Sequence, residues 1–188
     1  MNGSSLAPKR KVFRRLSIIA GNAIQIGGLT AAVLALAATR SAYSNTTALV
    51  ELLVAWTLLY FCCHAIAHFV VGRILGIRFA FYTIGGTANP EGWPGVLRWI
   101  FERLPFFGVQ TEKVSMQSAS PTAKAIMWSA GVTSSVFVPT LGVFWAWRAG
   151  IPHSGILLLI ALGWSAGTLS SNWRSITGDF AKARRAFQ

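Results

Sequence analysis

The spacing of charged side chains constrains this chain more than any other feature of its sequence. Asp, Glu, Lys and Arg are absent from four stretches, residues 16–39, 52–72, 125–147 and 149–173. A helix needs about 20 consecutive apolar residues to cross the hydrocarbon core of a bilayer. The first stretch is also longer than the apolar core of a secretory signal peptide, which is about 7 to 15 residues. The sequence therefore predicts an all-α integral membrane protein with four transmembrane helices, at about residues 16–39, 50–72, 123–147 and 152–173.

The distribution of basic residues predicts the orientation of these helices. The net charge of +12 would suggest nucleic-acid binding in a soluble chain. If the N-terminus is cytoplasmic, however, fifteen of the 17 Lys and Arg residues lie on the cytoplasmic side, and only Arg40 and Arg148 lie outside. This is the asymmetry of the positive-inside rule. We therefore expect a multi-pass protein of the cell membrane with both termini cytoplasmic, in contact with lipid and without a nucleic-acid partner.

Two cytoplasmic segments flank or interrupt the membrane domain. Residues 1–15 are rich in Gly, Ser and basic residues, which predicts a tail that lies against anionic lipid head groups. Residues 73–122 form an insertion between the second and third spans. Its aromatic and β-branched run at residues 79–84 predicts a strand, and residues 95–107 predict an amphipathic piece in the membrane interface. A second strand at residues 109–116 would pair with the first as a hairpin.

The second span carries a pair of histidines, His64 and His68, at its cytoplasmic end. Two residues four apart on a helix project from the same face about one turn apart, so both imidazoles can reach one divalent cation. Polar packing residues that hydrogen-bond across a membrane bundle are the alternative. Ionisable residues inside spans are costly and usually functional, which favours the metal site.

The search for a third ligand is short because the chain has five acidic residues and three histidines. His153 lies on the opposite side of the membrane, and Glu51 is about 20 Å along the helix from His64 at 1.5 Å per residue. Asp179 follows the fourth span on the cytoplasmic side and could fold back to the histidines, although it could also be a solvated linker carboxylate. The other acidic residues are interpreted as solvated surface of the insertion: Glu91, Glu102 and Glu112.

These segments resemble a known family. Residues 63–77, which hold both histidines and end in Leu75-Gly76-Ile77, resemble the motif helix of the site-2 protease family of intramembrane zinc metalloproteases. Residues 129–135 resemble the entry of the family's next core helix, and residues 171–179 resemble its asparagine-to-aspartate segment. The chain lacks the proline-rich Leu-Asp-Gly form of that segment. The resemblance covers most of the chain and implies that the last three spans form the core.

The resemblance also implies the ligands and the substrate. Zinc would be bound by His64, His68 and Asp179. The substrates would be transmembrane segments of other membrane proteins. The family's membrane-associated hairpin corresponds to residues 79–116, where a substrate segment would be held as an added strand in contact with Phe79, Phe81 and Thr83.

One residue departs from the family pattern. In His-Glu-x-x-His enzymes the glutamate takes a proton from zinc-bound water and passes it to the leaving amine. Ala65 occupies that position here. Loss of a positioned general base typically lowers the rate about 10²- to 10⁴-fold. We therefore expect a hydrolytically impaired metalloprotease scaffold. A silenced enzyme and a natural pseudoprotease both fit Ala65, and the alternative function is non-catalytic binding or regulation of transmembrane segments.

Other histidine or cysteine sites fit the sequence less well. A membrane di-iron site needs many more histidines than three. A bis-histidine haem needs ligands on opposite faces of the haem, which one helix face does not supply. Cys62 and Cys63 lie within the second span, where small apolar filler is the preferred interpretation over soft metal ligands, and no disulfide framework is indicated.

Overall fold

The protein is described here by a computed structural model that covers residues 11–87 and 90–188. It is mostly helical, with one small sheet. The elements in chain order are β1 (Val12–Leu16), α1 (Ile18–Ala38), a 3₁₀ turn (Thr39–Ser41), α2 (Asn45–Ile74), β2 (Phe79–Gly85), a 3₁₀ turn (Pro90–Gly92), α3 (Gly95–Phe101), β3 (Phe106–Thr111), α4 (Lys113–Ser118), α5 (Pro121–Arg148), α6 (Ser154–Arg174) and α7 (Asp179–Arg185).

Helices α1, α2, α5 and α6 are long and apolar enough to cross a membrane, which confirms the prediction of four such helices. Helix α2 begins earlier than predicted because Ser44 caps it, its side chain accepting a hydrogen bond from the Thr47 amide. Helix α5 begins at Pro121, two residues before the predicted start, because the Ser120 hydroxyl accepts a hydrogen bond from the Ala123 amide and proline fits the first turn. Helix α2 packs against both α1 and α5, and α5 packs against α6.

The sheet corrects two predictions. Its strands are antiparallel and lie in the order β1-β2-β3. Residues 12–15, predicted as part of a basic tail, belong to β1, because pairing with β2 outweighs their local composition. Residues 1–10 of that tail lie outside the described residues. The second strand ends at Thr111 rather than at Met116, and residues 113–118 are helical.

Two apolar clusters stabilise the fold at opposite ends of the bundle. The first, called the apolar cluster below, joins α2, α5 and α6 and consists of Ala48, Leu52, Val143, Ala146, Ile151 and Leu157. The second lies between β2 and α5 and contains Ile77, Phe79, Ala123 and Met127. Since Met127 lies one turn before Gly131 on α5, the second cluster borders the turn of α5 that faces His68.

The insertion between α2 and α5 closes over α6. Trp93 stacks on Trp164 of α6 with 5.6 Å between ring centroids, and Phe101 of α3 contacts the same indole edge-on at 5.8 Å. Phe106 at the start of β3 stacks on Phe61 of α2 at 5.1 Å. These aromatic contacts form one wall of a cavity that opens beside the paired histidines.

Candidate metal centre

The structure brings His64, His68 and Asp179 together. The two imidazoles lie one helical turn apart on α2, with 4.8 Å between ring centroids. The Nε2 atom of His64 and the Nε2 atom of His68 each lie 3.2 Å from Oδ2 of Asp179. The three ligand atoms all lie within 4.8 Å of one another. This is the residue set that the resemblance implies.

Asp179 reaches the histidines because the chain reverses after α6. Ser175 ends the helix, and its hydroxyl accepts a hydrogen bond of 2.8 Å from the Gly178 amide. The side-chain carbonyl of Asn172 accepts a 3.1 Å bond from the Phe180 amide. These bonds start α7 so that its first residue points into the bundle, where Asp179 is only 5% exposed.

Hydrogen bonds at the two Nδ1 atoms orient both imidazoles. Nδ1 of His68 lies 2.6 Å from the carbonyl oxygen of Met127, which can only accept, so Nδ1 is the donor. Nδ1 of His64 lies 3.0 Å from the hydroxyl of Ser135, and that hydroxyl is 3.2 Å from the Gly131 carbonyl, to which it donates. With the hydroxyl donating to that carbonyl, the Ser135 oxygen can accept a hydrogen bond from Nδ1 of His64. In this tautomer, each neutral imidazole has its lone pair on Nε2.

With both imidazoles neutral and protonated on Nδ1, two Nε2 lone pairs and a carboxylate oxygen face one another, and all three are hydrogen-bond acceptors. Such a cluster is unfavourable in a buried setting unless a cation lies among its atoms. A single proton can bridge only one of the two imidazole–carboxylate pairs. One metal ion would satisfy both pairs, so His64, His68 and Asp179 form a candidate metal site.

The donor set and its spacing fit zinc. Imidazole nitrogen and carboxylate oxygen are zinc ligands, and atoms bound at about 2.0 to 2.1 Å to one tetrahedral ion lie about 3.3 Å apart. The two 3.2 Å separations from Oδ2 match that value, whereas the full set of ligand atoms spans up to 4.8 Å, so the ligands would have to draw closer on binding zinc. Three protein ligands would leave a fourth position for water or substrate, as in catalytic zinc sites. The His64 side chain is 31% exposed and that of His68 only 4%, so the cavity meets the cluster at His64.

The ligand carboxylate is held as an anion. Burial alone would raise the pKa of Asp179, but the neighbouring groups, the Lys182 ammonium foremost, outweigh it and hold the pKa well below its usual range. Nζ of Lys182 lies 3.0 Å from Oδ1, the carboxylate oxygen that faces away from the histidines. Hydrogen-bonded outer partners of this kind orient metal ligands.

Gly131 makes room for His68. A Cβ atom built at Gly131 would lie 2.1 Å from Nε2 of His68, far closer than any real contact. Only glycine allows α5 to approach the ring this closely, so Gly131 determines the position of a residue of the candidate site.

The cavity beside the cluster has a volume of about 350 Å³. Its walls include aromatic side chains of α2, α3, α5 and β3 and the consecutive residues Phe107, Gly108, Val109 and Gln110. Of the three predicted substrate contacts, Thr83 lines it.

The other two predicted contacts lie elsewhere among the described residues. Phe79 is 7% exposed and packs in the second apolar cluster, and Phe81 lies under the Arg15 guanidinium at 4.9 Å. Strand β2 is paired on both sides. An added strand therefore cannot pair with β2, and β3 is the edge strand that borders the cavity.

Ala65 is fully buried and is not among the residues that line the cavity. Asp179 is the only acidic residue in the described part of that lining. No described side chain therefore stands in for the absent glutamate.

Glu91 corrects its interpretation as solvated surface. Its Oε1 accepts hydrogen bonds from the Ser175 hydroxyl at 2.6 Å and from the Thr177 amide at 3.2 Å. Its Oε2 is buried without a partner in the described structure. The side chain ties the insertion to the loop that delivers Asp179. No sequence signal could have found this contact, because it joins residues 84 and 86 positions apart.

The remaining candidates lie away from the cluster. Cys62 and Cys63 are buried free thiols, and His153 caps α6 in a left-handed conformation at the end of the bundle that holds the apolar cluster. Sequence reasoning missed Lys182, although its position three residues after Asp179 on a helix would have suggested the pairing. It also assigned no role at the site to Gly131 or Ser135.

Comparison of the chain with family models, with curated proteins and with solved structures gives no match. The functional argument therefore rests on this geometry.

Proposed function

We propose that this chain is an intramembrane zinc metalloprotease of the site-2 protease type, acting on transmembrane segments of other membrane proteins, with hydrolysis strongly impaired by Ala65. The observation that carries the proposal is the convergence of Nε2 of His64 and of His68 on the Asp179 carboxylate, each 3.2 Å from Oδ2, beside a cavity within a bundle of membrane-length helices. Two histidines one helical turn apart and a buried carboxylate are a typical ligand set for zinc.

The chain's own residues would hold and orient the metal. His64, His68 and Asp179 supply the ligands, while Ser135, the Met127 carbonyl and Lys182 fix their orientation. When bound, zinc polarises carbonyl groups and lowers the pKa of water to about 7. Trp93 and Phe101, which contact each other edge-on at 4.6 Å, form an aromatic wall of the cavity beside the cluster.

Proton transfer is the function the chain lacks. A positioned general base contributes about 10²- to 10⁴-fold to the rate, and the methyl group of Ala65 can neither accept nor deliver a proton. Efficient peptide hydrolysis is therefore not expected.

The segment to be bound is extended where it meets the site. Strand β3 lies at the edge of the sheet, and its residues 107–110 line the cavity beside the cluster. An edge strand binds an extended peptide through main-chain hydrogen bonds. A transmembrane segment that unwinds at this level would pair with β3 rather than with β2.

Basic residues support a cytoplasmic location for the site. The insertion and α7 carry Arg98, Arg103, Lys182, Arg184 and Arg185, on the same side as the metal cluster. By the positive-inside rule this side, and both termini, face the cytoplasm of a cell membrane. A reporter that is active only in the cytoplasm, fused after Gln188, tests this orientation, and an inactive reporter would contradict it.

A non-catalytic role is the second candidate. It is favoured by the complete burial of Ala65 and by the lack of any acidic residue other than Asp179 in the described cavity lining. In that role the chain would bind and regulate transmembrane segments without cleaving them.

The exchange Ala65→Glu separates the two. The zinc-loaded variant should cleave a membrane-embedded test substrate faster than the unchanged chain, by about 10² or more if the base is positioned. Ala65→Gln has the same size and no basic carboxylate, so it controls for packing at this buried site. Cleavage by the Glu variant and not by the Gln variant supports the protease scaffold. A Glu variant that folds and binds zinc but does not cleave the substrate would favour the non-catalytic role.

A further inference from the structure

Among the described residues that line the cavity, Lys182 is the one with a cationic side chain. Its Nζ is held between Oδ1 of Asp179, at 3.0 Å, and the face of the Trp128 ring, at 4.4 Å from the centroid. Trp128 in turn contacts the His68 ring edge-on at 5.5 Å. The ammonium group is therefore fixed beside the metal cluster rather than extended into solvent, and its side chain is 27% exposed.

This ammonium has donors left over. A lysine carries three N–H donors, and among the described residues the one acceptor in contact with Nζ is Asp179. Two donors remain for water or for a ligand in the cavity. The ring of Trp128 covers one side of the ammonium group and Asp179 another. The remaining N–H donors are therefore available on the other sides of the group.

The charges of the site do not balance once a metal is bound. The positive charges are those of a divalent cation and Lys182, and Asp179 is the one acidic residue in the described lining. Two positive charges then lack a partner. In a His-Glu-x-x-His site a glutamate would offset one of them, but Ala65 is uncharged. Because uncompensated charge is costly in a partly buried site, a ligand that brings a negative charge is favoured over a neutral one.

We infer that the cavity selects an extended peptide segment that carries a carboxylate, which bridges the metal and the Lys182 ammonium. The inference rests on the proposed function, because it needs the metal and the segment-binding edge. A peptide is favoured over other anions because residues 107–110 of the edge strand β3 line the same cavity. Lys182 is thus a specificity-determining residue that contacts the ligand directly.

A purely structural role for Lys182 predicts a different outcome. If the ammonium only braces Asp179, any neutral donor of similar length should replace it without changing which peptide binds. Lys182→Gln keeps a donor for Oδ1 of Asp179 and removes the charge. Lys182→Arg keeps both. Lys124→Met removes a lysine that bonds to the Gln117 carbonyl and does not line the cavity, so it controls for a change in overall charge.

The test measures peptide affinity on the full chain, purified, loaded with zinc and placed in nanodiscs of zwitterionic lipid. The probes are two fluorescent, acetylated and amidated apolar peptides that differ only in a central Asp or Asn. Zinc content is measured for each variant so that affinities are compared at equal occupancy. The unchanged chain and Lys124→Met should bind the Asp peptide at least about 10-fold more tightly than the Asn peptide, a difference of about 1.4 kcal/mol.

Lys182→Arg should keep this preference, and Lys182→Gln should reduce it to less than about 3-fold. Removal of zinc with a chelator should weaken binding of the Asp peptide more than that of the Asn peptide. Equal affinity for the two peptides, or an unchanged preference in a zinc-loaded Lys182→Gln variant, overturns the inference and leaves the proposed function standing. The same measurement in nanodiscs of anionic lipid tests a lipid phosphate as the ligand. If anionic lipid abolishes binding of the Asp peptide to the unchanged chain but not to Lys182→Gln, the inference is overturned in favour of a lipid phosphate.

Failure of the proposed function itself gives a distinct result. A chain that retains no zinc and binds neither peptide contradicts both the metal centre and the inference built on it.

Discussion

The two ends of the α2–α5 helix pair are built from opposite kinds of side chain. At one end Leu52 and Val143 are fully buried in the apolar cluster. At the other end the same two helices bury His68 against Gly131 and place His64 against Ser135. Packing alone explains the first end. The second end brings together His64, His68 and Asp179, and under the proposed function it gains its full stability only with a bound metal.

The largest expected effects separate these ends. Asp179→Asn keeps the volume of the side chain but removes its charge, so zinc affinity should fall more than about 100-fold, beyond the loss typical for outer-sphere partners. Leu52→Ala should instead lower the free energy of unfolding by about 2 to 5 kcal/mol through the cavity it leaves. Equilibrium dialysis and denaturant titration of both variants check the pair.

Two results would contradict this separation of the two ends. Loss of zinc in Leu52→Ala at temperatures where the protein is folded would mean that the two ends are not independent, and unchanged zinc affinity in Asp179→Asn would remove Asp179 from the ligand set.

A glycine exchange at the metal end should have the next largest effect. A Cβ at Gly131 meets Nε2 of His68 at 2.1 Å, so Gly131→Ala must displace the ligand ring. We expect loss of stoichiometric zinc in a protein that still folds. Gly163→Ala is the matched control, since a Cβ there meets nothing within 4 Å. Zinc analysis after gel filtration measures both, and equal zinc content would show that the ring has room to move.

Removal of a hydrogen-bond partner of a ligand imidazole should lower zinc affinity less than removal of a ligand. Ser135→Ala takes away the acceptor that holds Nδ1 of His64, so zinc affinity should fall about 10- to 100-fold. Ser134 is the control, because its hydroxyl bonds to carbonyl groups of Gly131 and Cys63 and to neither imidazole. A zinc titration with a competing chelator distinguishes the two alanine variants. Identical affinities would argue against the assigned His64 tautomer.

The smallest expected effect concerns Glu91, whose hydrogen bonds join the insertion to the loop before Asp179. Burial alone would raise the pKa of Glu91, but hydrogen bonds from Ser175 and Thr177 outweigh it and lower the pKa. A lowered carboxyl pKa stabilises the fold above the ordinary carboxyl range, and this contribution is lost as the pH falls through the lowered value. Glu91 contacts the loop before Asp179 and not a ligand itself. Glu91→Gln should for this reason weaken zinc binding less than about 10-fold at neutral pH.

Hydrogen exchange of the Thr177 and Gly178 amides reads out this loop directly. Exchange should be faster in Glu91→Gln than in the unchanged chain at neutral pH, and the difference should vanish in acid. A difference that persists below the carboxyl range would contradict a role for the Glu91 charge.

The local parts of the site could be predicted from the sequence, and the long-range parts could not. His64 and His68 follow from helix periodicity, and the four long helices follow from charge-free length. The Met127 carbonyl that orients His68 is a backbone atom 59 residues away, and no side-chain pattern reports it. Strand β1 was missed because its basic residues form a strand only by pairing with β2.

X-ray absorption at the zinc edge tests the metal centre most directly. The zinc-loaded chain should hold one ion, with only nitrogen and oxygen neighbours at about 2.0 to 2.2 Å and imidazole scattering from two histidines. A chain that retains no zinc, or a zinc ion with sulfur at about 2.3 Å from Cys62 or Cys63, would contradict the assignment of His64, His68 and Asp179.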